Sequence, residues 1–178
     1  MTLFAVAAVL LSFERVFYIW VSRRPDSLGP AVETLSARGI AADRVDVLRW
    51  AFCAFKTLQV AVFIWWCVAF GQGQAWTPPA PPVLAAAAAL VSVGQFLNLS
   101  VFYRLGTVGV FYGAHFGYAV QWTRAFPFSF PWLKHPQYFG TVLSIWGLFL
   151  AARYPSPDWW ALPLVETVYY GIGARLEK

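Results

Sequence analysis

Long apolar stretches recur through this sequence, at about residues 3 to 21, 47 to 70, 82 to 104, 137 to 152 and 158 to 175, and they limit what the chain can fold into. A helix crosses the hydrocarbon core of a bilayer with about 20 mostly apolar residues, so the pattern predicts an all-α integral membrane protein. A bundle of four to five transmembrane helices uses up the chain as a single domain over residues 1–178. With 60% hydrophobic and only 12% charged residues, the composition is far from that of an ordinary soluble domain. The first apolar run starts at Thr2, has no basic segment before it and reaches "VFYIWVSRR" without a small-residue cleavage site. It therefore reads as a retained span rather than a signal peptide, with the mature chain starting near Met1.

The formal net charge of +5 comes largely from Arg and Lys in the short connections. In a membrane protein this pattern marks the cytoplasmic side or contact with anionic lipid heads, and it speaks against a nucleic-acid partner. Residues 22 to 46 then form a cytoplasmic loop with a short helix around 30 to 38. The uncharged connector "FGQGQAWTPPAPP" faces outward, while the long connection from 105 to 136 and the chain end face inward. Cys53 and Cys67 both fall in the second span, about 21 Å apart along a helix, too far to bond each other. Two histidines without an HExxH or a cysteine cluster imply no metal, and hydrolase or P-loop signatures are absent.

Polar residues inside the spans are the places to look for chemistry. Glu14 and Arg15 interrupt the first span, either pairing near the interface or touching lipid heads. Ser92, Gln95 and Asn98 share one side of the third span, as interhelical contacts or as a ligand wall. Gly106, Gly109, Gly113 and Gly117 recur at spacings that would make one bare face on a helix, open either to a neighbouring helix or to a ligand, with Tyr112 and His115 close by. Three prolines break any helix through "AFPFSFPWLKHPQYFG", and irregular backbone at that depth must be buried or line a cavity. His135 precedes Pro136 at a helix start, where free N–H groups favour a carboxylate or a ribose hydroxyl. Glu166 reads as a hydrogen-bonded residue facing the bundle, and Glu177 as a solvated terminus.

Taken in order, "GQFLNLSVFYRLGTVGVFYGAHFG", "FPF" at 126 to 128 and "HPQYFG" at 135 to 140 resemble the phospholipid N-methyltransferases. The "HPxYxG" element is also similar to that of isoprenylcysteine carboxyl methyltransferases and, more distantly, of membrane sterol reductases. The resemblance implies S-adenosylmethionine as cofactor, held from the cytoplasmic side by Gly94, Gln95, Tyr112, Gly113, His115, Gly117, His135, Pro136, Tyr138, Gly140 and Glu177. Two departures stand out. Ser92 occupies the place of the first glycine of the animal and fungal pattern, as in plant-like members, and the terminal acidic pair is reduced to Glu177 followed by Lys178.

The implied reaction methylates phosphatidylethanolamine or its mono- and dimethylated forms toward phosphatidylcholine. Its amine must lose a proton before it can attack, and His115, Glu177 and Glu14 are the candidates for that step. Asn98, Arg124 and Lys134 are the candidate contacts for the lipid, although Arg124 and Lys134 also fit simple charge bias. Aromatic residues near the site, Trp122, Tyr103 and Tyr112, suit a sulfonium or a methylated amine through cation–π contact. The alternatives are an isoprenylcysteine-type acceptor, a nicotinamide-dependent reductase, or a scaffold that uses its glycines only for packing.

Overall fold

The computed structural model describes residues 2–70 and 77–177. The expected mature start at Met1, part of the outward connector (71–76) and Lys178 lie outside these residues. Six α-helices follow in order among them: α1 (Thr2–Arg23), α2 (Gly29–Ala37), α3 (Arg44–Phe70), α4 (Pro81–Val110), α5 (Pro136–Ala152) and α6 (Ala161–Leu176). Short 3-10 turns at Pro25–Leu28 and Gly113–Phe116 complete the pattern, and the described residues form no strand. Three of the helices, α1, α3 and α4, are long and apolar enough to cross a membrane. Helices α5 and α6 are shorter, at 17 and 16 residues.

Local chemistry sets the helix starts. Pro81 and Pro136 stand in the first turn of α4 and α5, where a missing N–H costs no hydrogen bond. At the head of α3, Asp43 Oδ1 accepts the Asp46 N–H at 2.8 Å and Asp46 Oδ2 accepts the Asp43 N–H at 3.4 Å, a reciprocal cap. The Tyr118 hydroxyl donates to Asp43 Oδ2 at 2.7 Å, joining this cap to the segment that follows α4. That hydrogen bond holds the Asp43 carboxyl below its ordinary range.

The expected single glycine face does not form. Gly106 has φ 63° and ψ 180°, a conformation open essentially to glycine alone, and it breaks α4. Beyond Val110 the chain passes through a left-handed Tyr112 into the turn at Gly113–Phe116 and then Gly117 at φ 86°. The glycine spacing of three and four residues lines up only on a continuous helix, and here the backbone turns back on itself.

Glycines do make a seam elsewhere. A Cβ on Gly94 would collide with the Gly140 carbonyl and Ser144 Oγ, and one on Gly140 would come 2.5 Å from the Gly94 carbonyl. Two turns away a Cβ on Gly147 would lie 2.7 Å from the Ala87 carbonyl. Helices α4 and α5 thus run antiparallel in backbone contact, the close approach that small residues permit in membranes. The other close helix pairs are α5 with α6, α6 with α1 and α1 with α3, which leaves α3 and α4 facing one another across a cleft.

Two apolar clusters hold the bundle. One gathers Leu11, Val62, Phe63, Trp66, Ile145, Phe149 and Leu162, and the other gathers Tyr18, Val21, Leu28, Val45, Leu48 and Phe111. The outward sides of the long helices stay apolar as well: Val16, Val68 and Leu99 are 62%, 72% and 67% exposed. Water would not favour such a surface; acyl chains would.

Candidate active site

Between the two apolar clusters the bundle turns polar. Glu14 and Arg15 on α1 follow Leu11 and precede Tyr18, while Lys56 and Gln59 on α3 lie between Leu48 and Val62. Lys56 Nζ donates to Glu14 Oε2 at 3.0 Å, Gln59 Oε1 at 3.1 Å and the Tyr170 hydroxyl at 2.7 Å. These three bonds use every donor of the ammonium. Gln59 Nε2 donates in turn to Glu166 Oε1 at 2.6 Å, so Glu166 is the bundle-facing partner its position predicts. Arg15 bonds Glu14 through Nη2, and its guanidinium lies against the rings of Tyr170, Tyr138 and Tyr18 at 4.3, 5.0 and 5.1 Å.

This layer opens into a cavity of about 660 Å³ in the α3–α4 cleft, a size typical of small-molecule sites. On one wall stand Glu14, Arg15, Lys56 and Gln59; on the other stand Gln95, Asn98, Thr141 and Ser144 of α4 and α5. Gln95 Nε2 donates to Ser144 Oγ at 2.9 Å, and the Thr141 hydroxyl reaches Asn98 Oδ1 at 3.4 Å. The floor is tyrosine and carboxylate: the Tyr112 and Tyr138 hydroxyls both donate to Glu177 Oε2. Glu177 Oε1 lies 3.7 Å from Arg15 Nη1 and accepts no hydrogen bond among the described residues. The expected solvated terminus is therefore a carboxyl side chain turned inward, only 9% exposed.

The rim is built by the irregular segment. His135 stacks on Tyr138 at 5.6 Å, and Lys134, Trp122 and the exposed His115 complete the mouth. A second groove, of about 760 Å³, lies at the far end of α1 and α3 against Phe4, Trp66 and Trp160. Its one ionisable group, Asp158, is already bonded by Arg153 at 2.9 Å and the Trp66 indole at 2.9 Å, whereas the first cavity gathers several ionisable side chains.

Of the residues singled out in the sequence, Glu14, Gln95, Asn98, Tyr112, His115, Lys134, His135, Pro136, Tyr138 and Glu177 come together around this cavity. Gly94 and Gly140 instead face each other in the α4–α5 seam, where each makes room for the other's backbone. A Cβ on Gly113 would run into the Val108 main chain, so this glycine permits the turn that carries Tyr112 and His115. Gly117 and Arg124 are exposed and do not line the cavity. Sequence reasoning passed over Lys56, Gln59, Tyr18 and Tyr170. A lysine in the middle of an apolar span was the available signal, because such a charge is retained only where it has partners or a task. Among the described residues no group of His, Cys, Asp or Glu is arranged to hold a metal.

A bundle with an apolar exterior, enclosing charged and phenolic groups around a cavity, defines an integral membrane protein with a polar interior. The chain belongs to the phospholipid methyltransferase family, whose match covers residues 83–178 and so spans α4 to the end of α6. It is 41% identical over 56 residues to the phosphatidyl-N-methylethanolamine N-methyltransferase of Arabidopsis thaliana. The matched stretch is 32% of this chain and about a third (33%) of the length of that relative. No solved structure matches the chain.

Proposed function

We propose that the protein is a phospholipid N-methyltransferase that uses S-adenosylmethionine to methylate phosphatidylethanolamine or its mono- and dimethylated forms. One observation carries this reading: α4, the turn after it, the start of α5 and the chain end bring Gln95, Asn98, Tyr112, His135, Tyr138 and Glu177 to one cavity. All six lie within the segment that matches the family.

The residues present suit the cofactor. Buried polar atoms without hydrogen-bond partners, Glu177 Oε1, Arg15 Nε and Nη1 and the Tyr18 hydroxyl, belong to residues that line the cavity. Such orphaned groups are costly unless a ligand completes them. Tyr112, Tyr138 and Glu177 with Gln95, His115 and His135 would hold it, and when bound it supplies an electrophilic methyl group on a sulfonium sulfur.

What remains for the protein is alignment, exclusion of water and removal of one proton. The α3–α4 cleft, walled by Phe52, Val60, Leu99 and Phe102, offers an acyl chain a way in from the bilayer and keeps water from the polar layer. Glu14, bonded by Arg15 and Lys56, lines the cavity with both carboxyl oxygens engaged. His115 stands at the open rim, where an imidazole can take the amine's proton and return it to water. Asn98 and Lys134 lie along the path of the headgroup.

We further assign α5 and α6 as spans, giving five, with the mouth of the cavity on the cytoplasmic side. Arg23, Arg24, Arg44 and Arg49 flank α1 and α3 at the same end as Lys134, and this excess of Arg and Lys is the cytoplasmic signature.

Expression in a host that makes no phosphatidylcholine tests the reading. Methylated phosphatidylethanolamine derivatives should appear in the extracted lipids, and the His115→Ala variant should lower their amount at least about tenfold. Unchanged lipids with folded protein in the membrane would refute the assignment.

A further inference from the structure

We infer that Arg15, together with Glu177, forms a clamp for the two ends of a zwitterion, Arg15 taking the carboxylate of an α-amino acid moiety and Glu177 its ammonium. This rests on the cofactor reading above and names a contact from α1, which lies outside the segment that matches the family.

The guanidinium has five N–H donors in a fixed fork. Its Nη2 is used on Glu14, while Nε and Nη1 have no hydrogen-bond partner, although the residue is 5% exposed and lines the cavity. Nε and Nη1 lie on opposite sides of the guanidinium, so each leaves one charge-assisted bond open to a carboxylate oxygen. Three tyrosine rings hold the plane of the group, so it is oriented before any ligand arrives.

The neighbour decides which anion. Glu177 Oε1, also without a hydrogen bond, forms a loose ion pair with Arg15 Nη1 at 3.7 Å. An isolated anion bound by Arg15 would meet this second carboxylate at close range, whereas a ligand that carries a cation one carbon away from its anion satisfies both. Gly173 leaves the space beside them: a Cβ there would lie 2.9 Å from Glu177 Oε1 and 3.6 Å from Arg15 Nη1. Lys56 cannot share the task, because its three donors are already engaged.

The test is calorimetric and uses the full chain in nanodiscs with two ligands, S-adenosylmethionine and its decarboxylated analogue. Wild-type protein should bind the analogue about 30-fold or more weakly, the loss expected when a buried charge keeps no partner. Arg15→Lys, which keeps the charge but loses the directed Nε and Nη1 donors, should weaken binding of the intact ligand and leave the analogue unchanged, so that the two losses do not add. A merely structural role for Arg15 would weaken both ligands alike. Equal affinity of wild-type protein for the two ligands would overturn the clamp while leaving the methyltransferase reading in place. An Arg15→Lys effect confined to phosphatidylethanolamine binding would assign the residue to the lipid phosphate and overturn it too. No binding of S-adenosylmethionine at all would remove both readings.

Discussion

At the scale of single residues, the site is organised by one carboxylate near the end of the chain. Glu177 collects the hydroxyls of Tyr112 and Tyr138, which come from the turn after α4 and the first turn of α5. From sequence alone a glutamate one residue from a terminus reads as solvated, because burial depends on what folds over it. The tyrosines and histidines could be assigned through their ordered motifs, whereas Lys56 and Gln59 carried no motif and only their depth in a span marked them. Gly173 offers a direct probe of this centre. In Gly173→Ala the new methyl would press on Glu177 Oε1 at 2.9 Å, and the flexible end of the glutamate can move aside. The variant should therefore fold, with stability within about 1 kcal/mol of the parent. Cofactor affinity measured by calorimetry should fall about tenfold, since a displaced carboxylate loses its charged hydrogen bonds.

At the scale of elements, apolar length and first-turn prolines marked where the helices lie, because those signals are local, although α4 runs on to Val110 where a connection was expected from residue 105. The expected short helix at 30 to 38 is α2 (Gly29–Ala37), and the start of α5 falls at Pro136. The glycine pattern after residue 105 was misleading for a physical reason: spacing carries meaning only if the backbone is continuously helical, and Gly106 takes a conformation that kinks α4. The glycines that do bring helices together, Gly94, Gly140 and Gly147, are divided between two spans, and no single-chain periodicity reveals such pairing. Their contact is backbone to backbone, so a side chain there has no flexible neighbour to displace. Gly94→Leu should separate α4 from α5 and cost about 1–3 kcal/mol or more. Thermal unfolding in detergent should show that loss, whereas Gly29→Ala, with nothing within 4 Å of the new methyl, should not.

At the scale of the whole molecule, the arrangement is a ring of α1, α3, α4, α5 and α6 left open between α3 and α4, with a charged layer set between two apolar clusters. Charges so placed are costly in hydrocarbon unless each has a partner, and Lys56 is the residue that joins α1, α3 and α6 through its bonds to Glu14, Gln59 and Tyr170. Removing it in Lys56→Met would leave Glu14 with Arg15 alone and strip a donor from two further groups. A loss of about 3–5 kcal/mol is expected, the cost of breaking one side of a buried pair. The double variant Lys56→Met with Glu14→Gln should recover part of it, because the amide no longer leaves a charge uncompensated. Denaturation of both variants in matched detergent measures this coupling. Additive losses would mean that the two side chains act independently, and that the polar layer is held together by Arg15 and its tyrosines instead.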